Sequence, residues 1–382
     1  MNCILCKKSN LEIFFSLKEF PLFFGAVDKN FIDQVPKYNL DMAICKDCKH
    51  VQQTNLVDED IMNSVYTAGY YNCPSPSNSN VGEREIKKFY NFFKKCNQPK
   101  GELLEIACFD GFLLEILNKD GWDIYGCDPA ANTSIAVSKF GEKKIKKEFL
   151  SSNTFKNRKF DAIIFRNLLE HIYDINDFLN LVSSLLKKDG SIYIDLPNVS
   201  TTESYGGYGL FFHQHISYFS IDTMNNFLSN HNFSIDNFYD GSPNLFIHAS
   251  KHNEIKSFDK KSSFDYKNLI LNNKKIKNKI NSFFNNEINI SLFGASALAT
   301  TILCNINETQ KNKVRQIFDN EKIKHFKILQ GTNLEISDPN TITPNDTKYL
   351  ITSYFFDNEI SDQLISYGIS SNNIIKINDL IL

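Results

Sequence analysis

The sequence lacks the features that would direct it into a membrane, through secretion or onto nucleic acid. Its start, MNCILCKKSN, has no apolar core behind a basic segment, as a signal peptide would have. The one long uncharged stretch, residues 288–307, is interrupted by polar residues and fits a strand, a turn and a helix better than a membrane span. Lysine and arginine are spread along the chain, whose net charge is −2. We therefore expect a cytoplasmic protein with neither membrane nor nucleic-acid partners, and a monomer.

Two further absences narrow the function. The chain has no complete Gly-x-Gly-x-x-Gly segment at a strand-to-helix turn, which argues against a dinucleotide-dependent oxidoreductase. It has nine cysteines, an odd number and a poor basis for a disulfide framework in a long chain without a signal peptide.

What is present predicts several domains. At 382 residues with 42% hydrophobic residues, the chain is long and apolar enough for two or three cores. We predict an α/β fold class with three parts. A small zinc-binding module covers residues 1–80, a Rossmann-like domain covers 81–250, and a connecting helix with a second Rossmann-like α/β domain covers 251–382.

The predicted α/β domains depend on alternating strand and helix patterns. Strands are predicted at 103–107, 123–128, 160–167 and 191–198, and helices at 84–96, 112–119 and 175–186. A polar, lysine-rich connecting helix is predicted within 251–289, followed by strands within 288–296, 314–320 and 348–354.

Two cysteine pairs give the strongest local signal. Cys3-x-x-Cys6 and Cys45-x-x-Cys48 can each place two thiolates on one side of a tetrahedral ion. The alternative is four ordinary buried cysteines, but two such pairs flanking one module favour zinc. Since four sulfur ligands leave no open position, the zinc would be structural. The residues between the pairs must loop out and return.

The segment EIACFDG (105–111) lies where the first predicted strand of the central domain gives way to a helix. Such a turn presents backbone N–H groups to a polar ligand. An acidic residue at the strand end, a turn of small residues and a second acid for ribose hydroxyls would suit S-adenosylmethionine (SAM). Asp128, at the end of the second strand, fits the last role. The alternative is an ordinary sheet turn with a surface aspartate.

Several segments, taken in order, resemble the sugar C-methyltransferase family of deoxysugar biosynthesis. They cover nearly the whole chain: YNLDMAICKDCKHVQQ (38–53), EIACFDGFLLE (105–115), RNLLEHIYDINDFL (166–179), FFHQHISYFS (211–220) and SLFGASALATTILCN (291–305). The family joins a zinc module, a SAM-binding domain and a carboxy-terminal α/β domain. The resemblance implies that the cofactors are SAM and structural zinc, and that the following residues surround SAM: Glu105, Ala107, Cys108, Gly111, Asp128 and Asn167.

The implied reaction is methylation of a nucleotide-linked ketosugar at the carbon beside its ketone. A base removes the acidic C–H, and the enolate takes the methyl group of SAM. His215 matches the family's base, an imidazole suited to proton transfer near neutral pH. His171 matches a histidine of the same pocket, where it takes part in the chemistry or only shapes the site. Either Tyr70 or Tyr71 matches a tyrosine near the sugar.

Four departures from the family leave the reaction open. Ala107 and Phe109 replace a glycine and an asparagine of the SAM loop, and Gln214 and Phe212 replace a glutamate and a tyrosine of the catalytic segment. Glutamine cannot supply a charge to an imidazolium, and phenylalanine cannot donate to an enolate. The alternatives are O-methylation of a sugar or other acceptor, or a non-catalytic protein that binds SAM or a sugar.

A last candidate site opens the second α/β unit. Gly294, Ala295 and Ser296 stand between a predicted strand and helix, where a helix amino end could hold the diphosphate of a nucleotide sugar. A plain strand-to-helix turn is the equal alternative.

Overall fold

The computed structural model describes residues 2–22, 26–67, 76–78, 80–241, 243–251, 258 and 262–381. The strands within these residues are β1 Leu11–Pro21, β2 Ala26–Val27, β3 Lys37–Cys45, β4 Val51–Gln53, β5 Glu102–Ile106, β6 Asp123–Cys127, β7 Ile145–Lys146, β8 Phe160–Arg166, β9 Leu186–Pro197, β10 Ser217–Tyr218, β11 Phe233–Asp240, β12 Asn244–Lys251, β13 Ile290–Phe293, β14 Val314–Phe318, β15 Ile328–Leu329, β16 Ile336–Ser337, β17 Lys348–Ile351 and β18 Ile374–Lys376.

The α-helices of the same residues are α1 Glu59–Thr67, α2 Asn80–Lys95, α3 Phe112–Lys119, α4 Thr133–Phe140, α5 Ile175–Leu185, α6 Val199–Ser204, α7 Ile221–Ser229, α8 Tyr266–Asn286, α9 Ala297–Asn305, α10 Glu308–Lys311, α11 Asp357–Ser366 and α12 Ile377–Ile381. None of these helices is long and apolar enough to cross a membrane.

The central sheet has seven strands in the order β11-β12-β9-β8-β5-β6-β7. The five strands from β5 to β9 are parallel, and β12 runs antiparallel to β9 and β11. Ala162–Phe165 of β8 are fully buried in succession, as expected for a parallel strand covered by helices on both faces. From β5 the chain continues to β6 on one side of this strand, and it later returns to β8 on the other side. The strand order therefore reverses at β5, and the carboxyl ends of β5 and β8 form the crevice where such sheets bind ligands.

The carboxy-terminal sheet is parallel, in the order β16-β14-β13-β17-β18. Its strand order reverses beside β13, which creates a second crevice of the same kind. The predicted fold class, two α/β units behind a zinc module, is confirmed.

The amino-terminal sheet does not stand apart from the other two units. Its antiparallel order is β1-β3-β4-β10, and β10 lies in the chain between β9 and β11 of the central sheet. The short strand β2 pairs with β15 of the carboxy-terminal unit. Phe15 and Leu40 share a buried core with Leu298 and Ile302 of α9. Strand pairing thus crosses both predicted domain boundaries.

Local structure adds detail to the predicted elements. The connecting helix predicted within 251–289 covers Tyr266–Asn286, where Asp265 caps its first turn. The segment 211–216 contains a turn, and strand pairing starts at Ser217. The antiparallel hairpin of β11 and β12 was not predicted, because its alternating pattern is broken by a register shift between Ile235 and Asn237.

Candidate functional site

The four predicted zinc ligands converge in the structure. The Sγ atoms of Cys3 and Cys48 lie 3.5 Å apart, as do those of Cys6 and Cys45, and all four lie within 4.8 Å of one another. A disulfide needs about 2.05 Å. Tetrahedral zinc with bonds of about 2.3 Å separates its sulfurs by about 3.8 Å, so the donor set fits zinc. The geometry leaves no fifth ligand among the described residues, as a structural site requires.

The two halves of this cluster have the same local structure. The N–H of Lys7 donates to the carbonyl of Cys3, and that of Lys49 donates to Cys45. Both lysines have positive φ, 61° and 65°, at the end of the turn. His50, beside the second pair, is buried with its Nε2 3.4 Å from Ser217 Oγ and is not part of the cluster.

A cavity of about 740 Å³ opens at the carboxyl ends of β5, β6 and β8, within the size range of small-molecule sites. Three of the six predicted cofactor residues line it: Ala107, Asp128 and Asn167. Ala107 and Phe109 both have positive φ, 61° and 48°. These are the positions where the resembled family has glycine and asparagine, which adopt that conformation at lower cost.

Asp128 is held by the loop that it faces. Its Oδ2 accepts from the N–H of Phe109 at 3.0 Å, and its Oδ1 accepts from the N–H of Ala130 at 2.7 Å. Burial raises the pKa of this carboxyl, and the two N–H groups oppose that shift. The carboxylate keeps acceptor capacity toward the cavity, as a ribose diol requires.

Glu105, Cys108 and Gly111 do not line the cavity but shape the loop from behind. Burial raises the pKa of Glu105 to about 8, although Arg166 nearby counteracts this. Its Oε2 has no hydrogen-bond partner in the described part of the chain. Cys108 is buried, and Gly111 begins α3 with φ 73°. A Cβ at Gly111 would lie 2.8 Å from Cβ of Ala136, so no other side chain fits.

The site fits SAM in two respects: the cavity has a suitable size, and the Asp128 carboxylate can accept from ribose hydroxyls. Asp110, which the sequence pattern does not single out, fixes a neighbouring segment. Its Oδ2 accepts from the N–H and Oγ of Ser77, and its Oδ1 accepts from the N–H of Phe112. Its signal in the sequence is its place within the 105–111 motif.

The two predicted histidines meet at the edge of this cavity. His171 lines it, and the ring of His215 lies 4.7 Å from that of His171, edge to face. His171 Nδ1 lies 2.7 Å from the carbonyl oxygen of Gln214, to which it donates. Burial lowers the pKa of His171 to about 4 and that of His215 well below its ordinary value. Both imidazoles are therefore neutral, proton-accepting groups near pH 7.

The zinc module holds the loop that carries His215. Nε2 of Gln53 donates to the carbonyls of Phe212, His213 and His215 at 3.0, 2.9 and 2.6 Å. The N–H of Gln53 also donates to Ile216, just before β10 pairs with β4. Gln53 was not predicted for the site, and its only signal is its place in the Val-Gln segment behind the second cysteine pair.

The remaining residues of the catalytic segment are placed as follows. Gln214 is buried and contributes its carbonyl to His171, while the ring of Phe212 lies 4.1 Å from that of His215. Nε2 of His213, which lies in a turn of the chain, is 3.2 Å from the carbonyl oxygen of Phe20. Tyr70 and Tyr71 lie outside the described residues.

The predicted diphosphate turn of the second unit is occupied by protein groups. The N–H of Ala295 donates to Asp319 Oδ2 at 2.7 Å, and Ser296 Oγ donates to the carbonyl of Thr352. Gly294 has φ 112°. The role of these residues in substrate binding stays a prediction, and a diphosphate would have to bind beside Asp319 or displace it.

Two family models match the chain. Residues 3–62 match a family described as "Putative zinc binding domain", and residues 80–237 match "Methyltransferase domain". The chain therefore combines a zinc-binding domain with a domain of the SAM-binding methyltransferase fold, and the predicted cofactors, SAM and zinc, are confirmed.

Individual relatives point to two kinds of acceptor. The chain is 23% identical over 199 residues to the C-methyltransferase NovU of Streptomyces niveus, covering 51% of this chain and 46% of that protein. It is 37% identical over 109 residues to a ubiquinone biosynthesis O-methyltransferase of Pelagibacter ubique, covering 27% and 45%. The chain thus spans a little under half the length of these relatives.

Among solved structures, magnesium protoporphyrin IX methyltransferase from Synechocystis, with bound S-adenosylhomocysteine (SAH), has a TM-score of 0.39 and 14% identity. The match covers 51% of this chain and all of that one. At that level of similarity, the likeness carries no argument about function.

Proposed function

We propose that the protein is a SAM-dependent methyltransferase that methylates a nucleotide-linked ketosugar at the carbon beside its ketone. One observation carries the proposal: two neutral imidazoles, His171 and His215, lie together at the edge of the SAM-type cavity. A base in this place can take a proton from a substrate that enters beside the methyl donor. The similarity to a C-methyltransferase and the matching segments described above support the same chemistry.

In this proposal Asp128 accepts from the ribose of SAM, and the loop from Ala107 to Gly111 surrounds its methionine part. When bound, SAM supplies an electrophilic methyl group. His215 accepts the proton from the substrate carbon, whose electron pair becomes the nucleophile. Burial lowers the pKa of His215, so the imidazole is unprotonated before the reaction. Tyr70 or Tyr71 is proposed to contact the sugar.

The alternative acceptor is a hydroxyl oxygen. Phe212 places a ring without a hydroxyl against His215, and the glutamate of the resembled family is absent at Gln214. Similarity to ubiquinone O-methyltransferases over a shorter stretch supports this alternative. In O-methylation, the same His215 would deprotonate the hydroxyl.

The test is product identification. The zinc-loaded protein is incubated with SAM and a panel of 4-keto nucleotide sugars in heavy water, and products are examined by mass spectrometry and NMR. We expect a new C-methyl group and deuterium exchange at that carbon. His215→Asn should reduce both by about 10²–10⁴-fold. His231→Asn, which alters a histidine on the far side of α5, should leave both unchanged.

Methylation of oxygen without C–H exchange would replace the first proposal by the second. Near-normal rates in His215→Asn would transfer the role of base to His171. SAM binding without turnover of any acceptor would favour a non-catalytic binding protein.

A further inference from the structure

Glu170 lies between the two imidazoles without a conventional hydrogen-bond partner. Its side chain is 1% exposed, and its Oε1 lies 3.8 Å from Nε2 of His171 and 3.9 Å from Nε2 of His215. Neither of its carboxyl oxygens has a hydrogen bond to a described residue. Burying an unpaired carboxyl costs stability, so its presence at this place calls for a functional reason.

The hydrogen bonds around His171 determine where protons sit in this cluster. A carbonyl oxygen only accepts, so Nδ1 of His171 carries the hydrogen that it donates to Gln214. A neutral imidazole has one N–H group, so Nε2 of His171, which faces Glu170 Oε1, carries a lone pair and no hydrogen. Two acceptors face each other unless the carboxyl is protonated. Burial raises the pKa of Glu170 to about 8, which is consistent with a protonated carboxyl at neutral pH.

His215 is oriented the other way round. Its Nε2 faces Glu170, whereas its Nδ1 is buried and has no hydrogen-bond partner among the described residues. A hydrogen on Nε2 points toward Glu170 Oε1, and the lone pair of the ring then lies on Nδ1. A carboxyl group on the far nitrogen fixes the tautomer and orientation of the catalytic imidazole in carboxylate–histidine pairs generally. The separation of 3.9 Å is longer than a hydrogen bond, so the attraction between this N–H group and Oε1 is electrostatic.

A bound cation would be the competing explanation, since one atom each of Glu170, His171 and His215 lie within 4.8 Å of one another. A ligating histidine donates its other ring N–H to a carbonyl or carboxylate. His171 satisfies this requirement, but Nδ1 of His215 and the second oxygen of Glu170 have no such partner in the described structure. The contacts therefore favour a proton-sharing cluster over a metal centre.

We propose that Glu170 is the positioning residue of His215: it holds the imidazole hydrogen on Nε2 and leaves the lone pair of the ring on Nδ1. This inference rests on the proposed function for its consequence in catalysis. Glu170 would then be the acidic partner of His215, a role that the neutral side chain of Gln214 cannot fill. The proton that leaves the substrate carbon ends on the His215 imidazole, and the electron pair of the broken C–H bond stays on that carbon.

The loop that carries His215 is anchored independently of Glu170. Gln53 binds three of its carbonyls, and β10 pairs with β4 directly behind it. Replacement of Glu170 should therefore change the proton on His215 more than the position of the loop. This allows a test on the folded, zinc-loaded full chain.

The experiment is nitrogen NMR of the histidine rings in ¹⁵N-labelled protein with SAH, with His171→Asn and His215→Asn to assign the signals. In the wild type we expect His215 as the Nε2–H tautomer and His171 as the Nδ1–H tautomer. Glu170→Leu should abolish the preference at His215 and leave that of His171 intact. Glu170→Gln, whose side-chain oxygen can still accept, should restore it. Asp357→Asn, which alters a buried carboxyl of the carboxy-terminal unit, is the control and should change neither ring.

Three results would overturn the proposal: an Nδ1–H tautomer at His215 in the wild type, an unchanged Nε2–H tautomer in Glu170→Leu, or metal analysis with two zinc ions per chain that falls to one in Glu170→Gln. None of these depends on turnover. If the ring tautomers behave as expected but no ketosugar is methylated, the proposed function fails while the assignment of Glu170 stands.

Discussion

Both α/β units of this chain have a turn after the first strand whose N–H groups bind an aspartate, but the surroundings of the two turns differ. In the central unit, the N–H of Ala107 donates to Cys127 and that of Phe109 to Asp128. In the carboxy-terminal unit, Gly294 donates to Phe318 and Ala295 to Asp319. Each aspartate follows the second strand of its sheet and also accepts from the N–H two residues later, at 2.7 and 2.8 Å.

What differs is the surroundings of each aspartate. Lys324 pairs with Asp319 at 3.0 Å and also contacts the carbonyl of Ala295, so this turn is neutralised by the protein itself. Asp128 borders the cavity instead, and no lysine or arginine forms an ion pair with it in the described part of the chain. The hydrogen bonds between each turn and its aspartate thus follow from the strand–turn–helix topology that both units share. Only the space and the uncompensated charge beside Asp128 make its turn suitable for a ligand.

The largest expected difference between the units is in cofactor affinity. Asp128→Ala should weaken SAH binding by about 1.5–3 kcal/mol, because ribose hydroxyls lose a charged acceptor. Asp319→Ala, the matched change in the other unit, should leave the affinity within error. Isothermal titration calorimetry measures both. Equal losses in the two variants would mean that each aspartate acts through the fold and that the two turns do not differ in function.

The next largest effect concerns the stability of the central unit, through the glycine that begins α3. Gly111→Ala should lower the free energy of unfolding by about 1–3 kcal/mol, since its positive φ and the contact with Ala136 both oppose a side chain. Denaturant unfolding followed by Trp122, the only tryptophan and a buried residue of the central unit, reports this change. Gly121→Ala, at φ 95° and with its nearest neighbour, the Lys100 side chain, 3.8 Å away, controls for backbone strain without close packing. A loss at Gly121 as large as that at Gly111 would count against the packing argument.

The pH dependence of stability should differ through the buried acid of β5. Glu105 stands where the carboxy-terminal unit has Leu292, each two residues before its turn. Burial raises the pKa of Glu105 from its ordinary value near 4.5 to about 8. The folded state therefore binds this proton more tightly than the unfolded state, and stability falls as pH rises from about 4.5 to about 8.

Glu105→Leu should remove most of that loss, about 3 kcal/mol between pH 5 and pH 8. Urea unfolding at the two pH values, again followed by Trp122, is the measurement. An identical pH dependence in wild type and variant would show that Glu105 does not titrate in this range.

The smallest effect concerns the first turn residue. Ala107 has φ 61°, where its counterpart is Gly294, so Ala107→Gly should stabilise the central unit by about 0.5–1 kcal/mol. Ala299→Gly within α9 should instead destabilise by about 1 kcal/mol, because glycine is unfavourable inside a helix. Thermal unfolding of both variants tests the pair, and destabilisation by Ala107→Gly would contradict the strain at this position.

Local patterns were sufficient to predict the units of the fold and their turns. Buried runs such as Leu103–Ile106 and the periodic helix of residues 112–119 appear in the structure close to the predicted limits. The hairpin of β11 and β12 and the turns before Ser217 were missed, because bulges and turns interrupt the period-two pattern that identifies strands.

The sequence by itself predicted the zinc ligands and the SAM loop from spacing and residue chemistry, and its resemblance to the sugar C-methyltransferase family indicated His215 as the candidate base. Only the tertiary structure decided that Glu170 lies between His171 and His215, and that Gln53 holds the loop of a histidine 162 positions away. It also decided that Asp319, unlike Asp128, is neutralised by a lysine. Such contacts depend on how whole sheets pack against one another, and no local periodicity encodes the sum of those weak interactions.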